Sequence, residues 1–460
     1  MLNIVGMSTG FAANVGMTRQ ATLDMNVEGK RGYVKPIDGD STQLNDVKTL
    51  TATEALTPMG ITHDDPFRTA MTFIQKSKHG MRCEDADPLL ITNGTDEALP
   101  YIASDIFAFK AKNKGKVVEI VPDQYMIVEY TGGQKDYVNL ENTVQKNSDG
   151  GFHVPLKLDT DFRVGQSFKE GDILAYDKLS VGNTLGEDDK IAYKVGTMAK
   201  VALLTTDEGF EDSAIMSRRL ANAMACDVIK VKEVVLPKNT NIYNVLPAGT
   251  HIEEGDQLMA FQTPYDSEDL EILQRNLAGD EEELSSLGRV PIKAETTGTL
   301  VAVNIYRTCE LDELSPSLKK LVTAYEKPIK AKKKHLEDNG IATFELPPTY
   351  KLPATGKLKN CDDGVLIEFC QQYRDVPAIG DKIVWYSANK GVNKQLFPEG
   401  EEPYTDMRPN EVIDGFITNT SVNGRMVCSI AAVGSLNKLM VELDRKCKDM
   451  LGIRYDDSKI

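Results

Sequence analysis

Gly380-Asp381-Lys382-Ile383-Val384-Trp385-Tyr386-Ser387-Ala388-Asn389-Lys390-Gly391-Val392 decides how the rest of the chain reads. Ile383 to Tyr386 is a short apolar and aromatic run of strand character. Turn chemistry stands at both ends: Gly380-Asp381 before it and Asn389-Lys390-Gly391 after it. Gly tolerates positive φ, and Asn or Asp bonds its own backbone, so both ends should be pinned. Lys382 and Lys390 would then hold two ammonium groups at the ends of one strand, an arrangement suited to a ligand with spaced phosphates. The plain structural reading is two solvated lysines flanking a hairpin. The other motifs along the chain decide between the two.

The Gly-Asp turn recurs. Phe168-Lys169-Glu170-Gly171-Asp172-Ile173-Leu174 and Ile252-Glu253-Glu254-Gly255-Asp256-Gln257-Leu258 match Val376-Pro377-Ala378-Ile379-Gly380-Asp381-Lys382-Ile383. Each puts the turn ahead of a strand, as at the corners of a β-barrel. Only the third has a lysine directly after the Asp.

The 460 residues are 41% hydrophobic, enough for several domains. A net charge of -16 excludes a general nucleic-acid coat, so any polyanion contact must be local or shared with a basic partner. The seven cysteines show no C-x-x-C pair and the five histidines are dispersed, which reads as reduced thiols without a disulfide frame or zinc site. No apolar run reaches membrane-spanning length, and Met1 to Gln20 has no basic-then-apolar leader, so a soluble protein of a reducing compartment is expected.

Residues 1 to about 60 read as irregular structure with short strands. Asp64-Asp65-Pro66 is a helix start that would gather Arg68, Lys76, Lys78 and Arg82 near the helix end. Lys116 to Val121 and Tyr125 to Tyr130 predict a hairpin turning at Pro122-Asp123. From Lys200 a buried strand runs into Glu211-Asp212 and then a helix carrying Ile215, Met216 and Leu220 on one face. The acid pair is either an N-terminal cap or a carboxylate pair beside a metal-nucleotide. Ser267 to Gly279 and Ser315 to Gly340 read as helices, with strands from Arg289 to Arg307 and a hairpin at Gly298. Lys327, Lys330, Lys332, Lys333 and Lys334 form a basic run, read as a solvated helix end before a nucleic-acid or partner contact. Arg425 stands in a turn before an amphipathic helix through Leu436, Leu439, Met440, Leu443, Cys447 and Met450.

Taken in order, His63-Asp64-Asp65-x-x-Arg68-x-x-Met71, Phe210-Glu211-Asp212, Gly380-Asp381-Lys382 with Asn389-Lys390-Gly391, and Gly424-Arg425-Met426 resemble the C-terminal half of the beta subunit of multisubunit DNA-dependent RNA polymerases. Pro88-Leu89-Leu90, Lys116-Val117-Val118, Gly165 to Leu174, and Leu185-Gly186 before Lys200-Val201-Ala202 extend the match. It covers about 61–235 and 355–445, with 236–354 similar to the family's flap insertion. Each motif alone is weak; the order and spacing carry the signal.

The resemblance implies an α+β, mainly β fold: a double-psi β-barrel core split by a flap-like insertion, with hybrid-binding and fork-type regions and a C-terminal helix. Residues 1–60 would lead into the fork region and 61–235 would form it with the first half of the barrel and hybrid-binding core. Residues 236–354 would be the insertion, 355–430 the second half of the barrel, and 431–460 the C-terminal helix and tail. It further implies that Lys382 and Lys390 contact phosphates of the RNA 3′ end and the incoming nucleotide. Glu211 and Asp212 would lie beside the second Mg²⁺ and the triphosphate. Arg68 and Arg425 would grip the β- and γ-phosphates, with Asp65, Lys78 and Asn389 in support. The catalytic Mg²⁺ belongs to an Asp-x-Asp-x-Asp triad on the largest subunit, absent from this sequence, so the chain is expected to be a nucleotidyltransferase subunit inactive alone.

The implied partners are a beta-prime-like subunit with that triad, an N-terminal beta fragment, template DNA, RNA product and nucleoside triphosphates, and no membrane. The resemblance leaves room for a promoter-specificity subunit on 236–354. The chain departs from the family at Gly209, usually Asn, at Tyr386-Ser387-Ala388, usually basic, and at Lys78, usually Gln. It also begins near the fork region, stops soon after Arg425 and lacks the protrusion, lobe and C-terminal clamp motifs. These departures are similar to the split subunits encoded by giant bacteriophages, which implies the host cytoplasm and leaves packaging in the virion open. The rival expectations are a non-catalytic phage structural or assembly protein built from barrel-sandwich modules, and a regulator mimicking polymerase surfaces.

Overall fold

A computed structural model of the chain describes residues 27–28, 33–34, 50–78, 80–102, 105, 107–147, 152–184, 190–207, 211–263, 288–341, 364–386, 388–406 and 408–454. The fold is mixed α+β, with most strands in antiparallel sheets and few helices. Among the described residues no sheet closes on itself into a barrel.

Helix α1 (Pro66–Phe73) begins where the sequence predicts, with Pro66 in the first turn and the Asp65 carboxylate accepting from Phe67 N–H at 2.7 Å. It continues as a single π-type turn, Ile74–Lys78, of a kind that collects at functional sites. Arg82 does not stay with this basic group: its guanidinium donates to Asp177 and the Pro155 carbonyl. Strands β1 (Gly115–Val121) and β2 (Tyr125–Tyr130) form the expected hairpin, with Val121 paired to Tyr125 across the turn, and β3 (Lys135–Asn139), not foreseen, extends it to a meander. Val117, Met126, Val128 and Phe168 bury its inner face.

Next come β4 (Val201–Leu203), β5 (Ser213–Ser217) and α2 (Arg218–Ala223). Here the sequence reading is corrected. Ile215 and Met216 lie in a buried strand, and the helix starts only at Arg218, capped by the Ser217 hydroxyl. A short continuous apolar run carries no period to tell helix from strand, and pairing with distant strands decides it.

Strand β6 (Cys226–Pro237) leads to β7 (Gly298–Arg307), α3 (Pro316–Asp338) and β8 (Gly364–Asp375). β6 and β8 pair antiparallel from Cys226↔Asp375 to Pro237↔Gly364, and β7 lies on the other side of β8. Leu236, Leu300, Val365 and Phe369 share one core with Leu318 and Val322 of α3, so residues from both sides of the expected insertion boundaries bury together. Gly298 is not a hairpin turn but the first residue of β7. A Cβ there would meet the Gln372 carbonyl at 2.2 Å, so close strand approach explains the glycine. The helix expected over Ser267 to Gly279 lies outside the described residues.

Ser315 caps α3 as predicted, and its far end lies on the meander, with Leu336 against Tyr125 and Ile127. Three lysines of the basic run, Lys330, Lys332 and Lys333, pair with carboxylates of the chain. Lys330 pairs with Glu326, Lys332 with Glu141 at 3.0 Å, and Lys332 also stacks over Tyr125 and Tyr137.

Strands β9 (Lys382–Trp385), β10 (Asn389–Phe397) and β11 (Gly415–Ile417) are followed by helices α4 (Asn419–Asn423) and α5 (Cys428–Met450). They complete a five-stranded sheet of order β4-β11-β5-β10-β9. Two parallel pairs, β5 with β10 and β4 with β11, interleave strands separated by about two hundred residues of chain. Gly415 lets the strands close over Trp385, whose ring a Cβ would meet at 2.4 Å.

Candidate functional site

The three Gly-Asp turns share one hydrogen-bond pattern. Gly171, Gly255 and Gly380 have φ of 87°, 92° and 99°, a region costly to any other residue. In each, the Asp carboxylate accepts from the N–H three residues back: Lys169 at 2.7 Å, Glu253 at 2.8 Å and Ala378 at 2.8 Å. In each, the Gly N–H and the Asp carbonyl bond both backbone groups of one residue on a neighbouring segment: Ala111, Ala294 or Asn393. The third turn stands apart only in the lysine directly after its Asp.

Lys382 opens β9 opposite Val392, and Val384 opposes Lys390. Opposed residues share a face, as do residues two apart, so Lys382, Val384, Lys390 and Val392 line one face. Burial agrees: Ile383, Trp385, Asn389, Gly391 and Asn393 are buried on the other. The lysines are therefore diagonal neighbours across two strands, with backbones roughly 7–8 Å apart. This corrects the expectation of one strand with a lysine at each end. Asn389-Lys390-Gly391 is strand, and the turn comes earlier, at positive φ on Tyr386 (57°) and Ala388 (56°). Among the described residues neither lysine has an ion-pair partner. Asn389 points inward, buried, its side-chain nitrogen without a hydrogen-bond partner among the described residues.

β5 runs parallel to β10, and the Asp212 carbonyl accepts from Val392 N–H at 2.7 Å. Gly391 permits this approach, since a Cβ would lie 3.0 Å from the Asp212 carbonyl oxygen. Glu211, at φ 53°, and Asp212 therefore form an exposed acidic turn beside the lysine-bearing strand, and precede a strand rather than a helix. Phe210 lies outside the described residues.

Arg425, between α4 and α5, forms an ion pair with Asp212, while the Ser421 hydroxyl of α4 donates to the Glu211 carbonyl. One residue on, the Met426 carbonyl accepts from Asp65 N–H at 3.3 Å. Asp64 is buried and accepts from Ser429 N–H at 2.7 Å. Asp65 caps α1, the helix that carries Arg68. Arg68 is half-buried over the Phe67 ring. The Tyr386 hydroxyl donates to the Pro58 carbonyl, tying this segment to the β9–β10 turn. Direct contacts thus link all four motif stretches: Asp65 to Met426, Arg425 to Asp212, and Asp212 to Val392.

The sequence reading grouped Lys76 with the basic turn but gave it no role. It lies on the π turn, 5.5 Å from the Tyr386 ring centroid, with no carboxylate partner among the described residues. Burial pulls its ammonium down to about 8, and burial likewise raises the Tyr386 phenol. Lys78 ends the same turn, and its side chain lies outside what the structure describes.

Among the described residues no group of three or more His, Cys, Asp or Glu could hold a metal ion. No described helix is long and apolar enough to cross a membrane. No family model matches the chain, and a search of the curated proteins finds no match.

Proposed function

We propose that the chain is a beta-type, C-terminal-half subunit of a multisubunit DNA-dependent RNA polymerase of the split, phage-encoded kind, inactive until a beta-prime-like partner supplies the Asp triad. The observation that carries this reading is the contact chain through Asp65, Met426, Arg425, Asp212 and Val392. It links four motifs, separated by more than a hundred residues at two of their three gaps, around one sheet, with the lysines on one face and Val422 and Ile430, either side of Arg425, packed on the other. The finer proposal for the fold is that the five-stranded sheet, with strands from before and after the insertion interleaved and paired in parallel, is part of a double-psi barrel.

In this reading Lys382 and Lys390 bind phosphates of the RNA end and the incoming nucleotide as compact point charges. Arg68 and Arg425 present planar forks to the terminal phosphates. Asp212 holds Arg425 in place. Such work is positioning and charge neutralisation, which dominate phosphoryl transfer. Mg²⁺, when bound, would neutralise charge on the transferred phosphate. Glu211 and Asp212 offer two exposed carboxylates at one turn, which fits one side of a hydrated Mg²⁺–nucleotide and is too few to enclose the ion. Template DNA, an N-terminal beta fragment and a promoter-specificity subunit complete the proposed assembly.

The rival of a structural phage protein draws on the three equivalent turns, two of which carry no chemistry. Purification of a tagged copy from its native source, with mass spectrometry and a nucleotide-incorporation assay, separates the two. Stoichiometric recovery of a triad-bearing chain, with activity in the particle and none in the isolated subunit, supports the polymerase. Recovery with capsid components alone favours the rival.

A further inference from the structure

Lys76 comes at the end of a buried stretch of helix: Thr69, Thr72 and Gln75 before it are 2%, 0% and 3% exposed. A lysine in such a place costs free energy unless its ammonium is paired or hydrogen-bonded. Lys76 has instead the face of the Tyr386 ring, 5.5 Å from the ring centroid. Asp64, whose charge reaches the Tyr386 phenol, is spent on Ser429. One carboxylate oxygen accepts the Ser429 N–H at 2.7 Å and the other its hydroxyl. Burial therefore acts on the Lys76 ammonium unopposed and pulls it down to about 8. The side-chain carbonyl of the preceding Gln75 is a second buried group without a hydrogen-bond partner among the described residues. Both residues stand on the π turn, and turns of that kind gather at functional sites.

The same place joins the two halves of the candidate site. The π turn continues α1, which carries Arg68, and Tyr386 stands four residues before Lys390. Tyr386 holds a φ of 57°, costly to a tyrosine, and its hydroxyl is fixed on the Pro58 carbonyl. Lys76 thus lies where the helix of Arg68 meets the hairpin of the two lysines.

We propose that Lys76 is a further phosphate-binding residue of this site, its ammonium pairing with a phosphate of the ligand held by Lys382 and Lys390. The identity of that ligand rests on the reading above, in which the RNA strand and the incoming triphosphate offer the same group. A phosphate supplies the counter-charge that the described residues withhold, and so favours the protonated amine. Affinity should therefore fall as pH rises above about 8. The Tyr386 phenol, raised by burial, stays neutral over that range.

The test reads the amines themselves. The purified full chain is pulse-labelled with acetic anhydride at about pH 8. Tripolyphosphate, a short oligoribonucleotide or neither is present, and each lysine is quantified by mass spectrometry. With a probe at about ten times its Kd, acetylation of Lys76, Lys382 and Lys390 should slow about tenfold, and that of Lys230 should not change. Protection by tripolyphosphate assigns Lys76 to the nucleotide, and protection by the oligoribonucleotide alone to the RNA strand. Lys76→Met should weaken binding of the protecting probe about tenfold near neutral pH and remove the fall above pH 8, whereas Lys76→Arg should bind tightly throughout. Protection of Lys382 and Lys390 without Lys76, or equal affinity for wild type and Lys76→Met, would overturn the role of Lys76 alone. Protection of none of the three would overturn the phosphate site itself, and this role with it.

Discussion

Beneath α5, the buried Glu411 carboxylate has Arg445 at 3.1 Å, Lys438 at 3.4 Å, and Lys200 and Arg408 both at 3.6 Å. Around the Gly380 turn, Lys382 and Lys390 share an open face with no carboxylate partner among the described residues, and Lys76 is half-buried on a tyrosine ring. The first cluster neutralises itself and holds an element in place. The second leaves cations unmatched among the described residues, next to an acidic turn whose Asp212 is engaged by Arg425. Charge that the fold satisfies internally is structural. Converging charge that it leaves unmatched points to a ligand of opposite sign.

The largest effect should come from the satisfied cluster. Arg445→Ala leaves Glu411 buried with Lys438, Lys200 and Arg408 still beside it and is expected to lower stability by about 1–3 kcal/mol, read by urea denaturation. A loss below about 1 kcal/mol would show that the two clusters do not differ in kind.

The acid limb of stability sharpens the same contrast. Burial pushes the Glu411 carboxyl up, but the Arg445 hydrogen bond and the charges of Lys200 and Lys438 outweigh it and hold it at about 2, against an ordinary 4.5. A depressed carboxylate stabilises above its unfolded pKa, and that stabilisation is lost as pH falls from about 4.5 toward 2. Glu411→Gln should flatten this part of a melting-temperature profile.

Lys76 runs the other way. Its folded pKa of about 8 lies below the ordinary 10.5, so between these values the unfolded chain binds more protons. Stability should therefore rise with pH across that window. Lys76→Met should abolish the rise, and a rise that persists would assign it to other groups.

Asp212 and Arg425 are both partly exposed, so a double-mutant cycle should give a coupling near 0.2–1 kcal/mol, roughly that of a surface pair. A larger value would make the pair structural rather than poised. Smallest of all, Lys382→Ala with Lys390→Ala should move stability by less than about 0.5 kcal/mol.

Local chemistry made some of this legible in the sequence. The Gly-Asp turns, the Asp65-Pro66 helix start, the Ser315 cap and the Pro122-Asp123 hairpin each depend on residues within one turn of each other. Non-local pairing hid the rest. β5 is a strand because it lies between β10 and β11, which a run of four buried residues does not announce. The β9–β10 turn uses positive φ at Tyr386 and Ala388, residue types that give no turn signal, so Asn389-Lys390-Gly391 took its place in the reading. The lysines' shared face follows from register, which depends on that turn. Asp65 capping α1 was visible; its backbone contact with Met426, far along the chain, was not.

The most direct test of the central claim is the single-nucleotide addition rate of the purified particle carrying Lys382→Ala and Lys390→Ala. Lys230→Ala with Lys232→Ala serves as the control, because those lysines are matched by Glu295 at 2.9 Å and 2.6 Å. The account predicts a loss of about a hundredfold or more for the first pair, with assembly intact, and little change for the second. Equal rates for the two particles would contradict it.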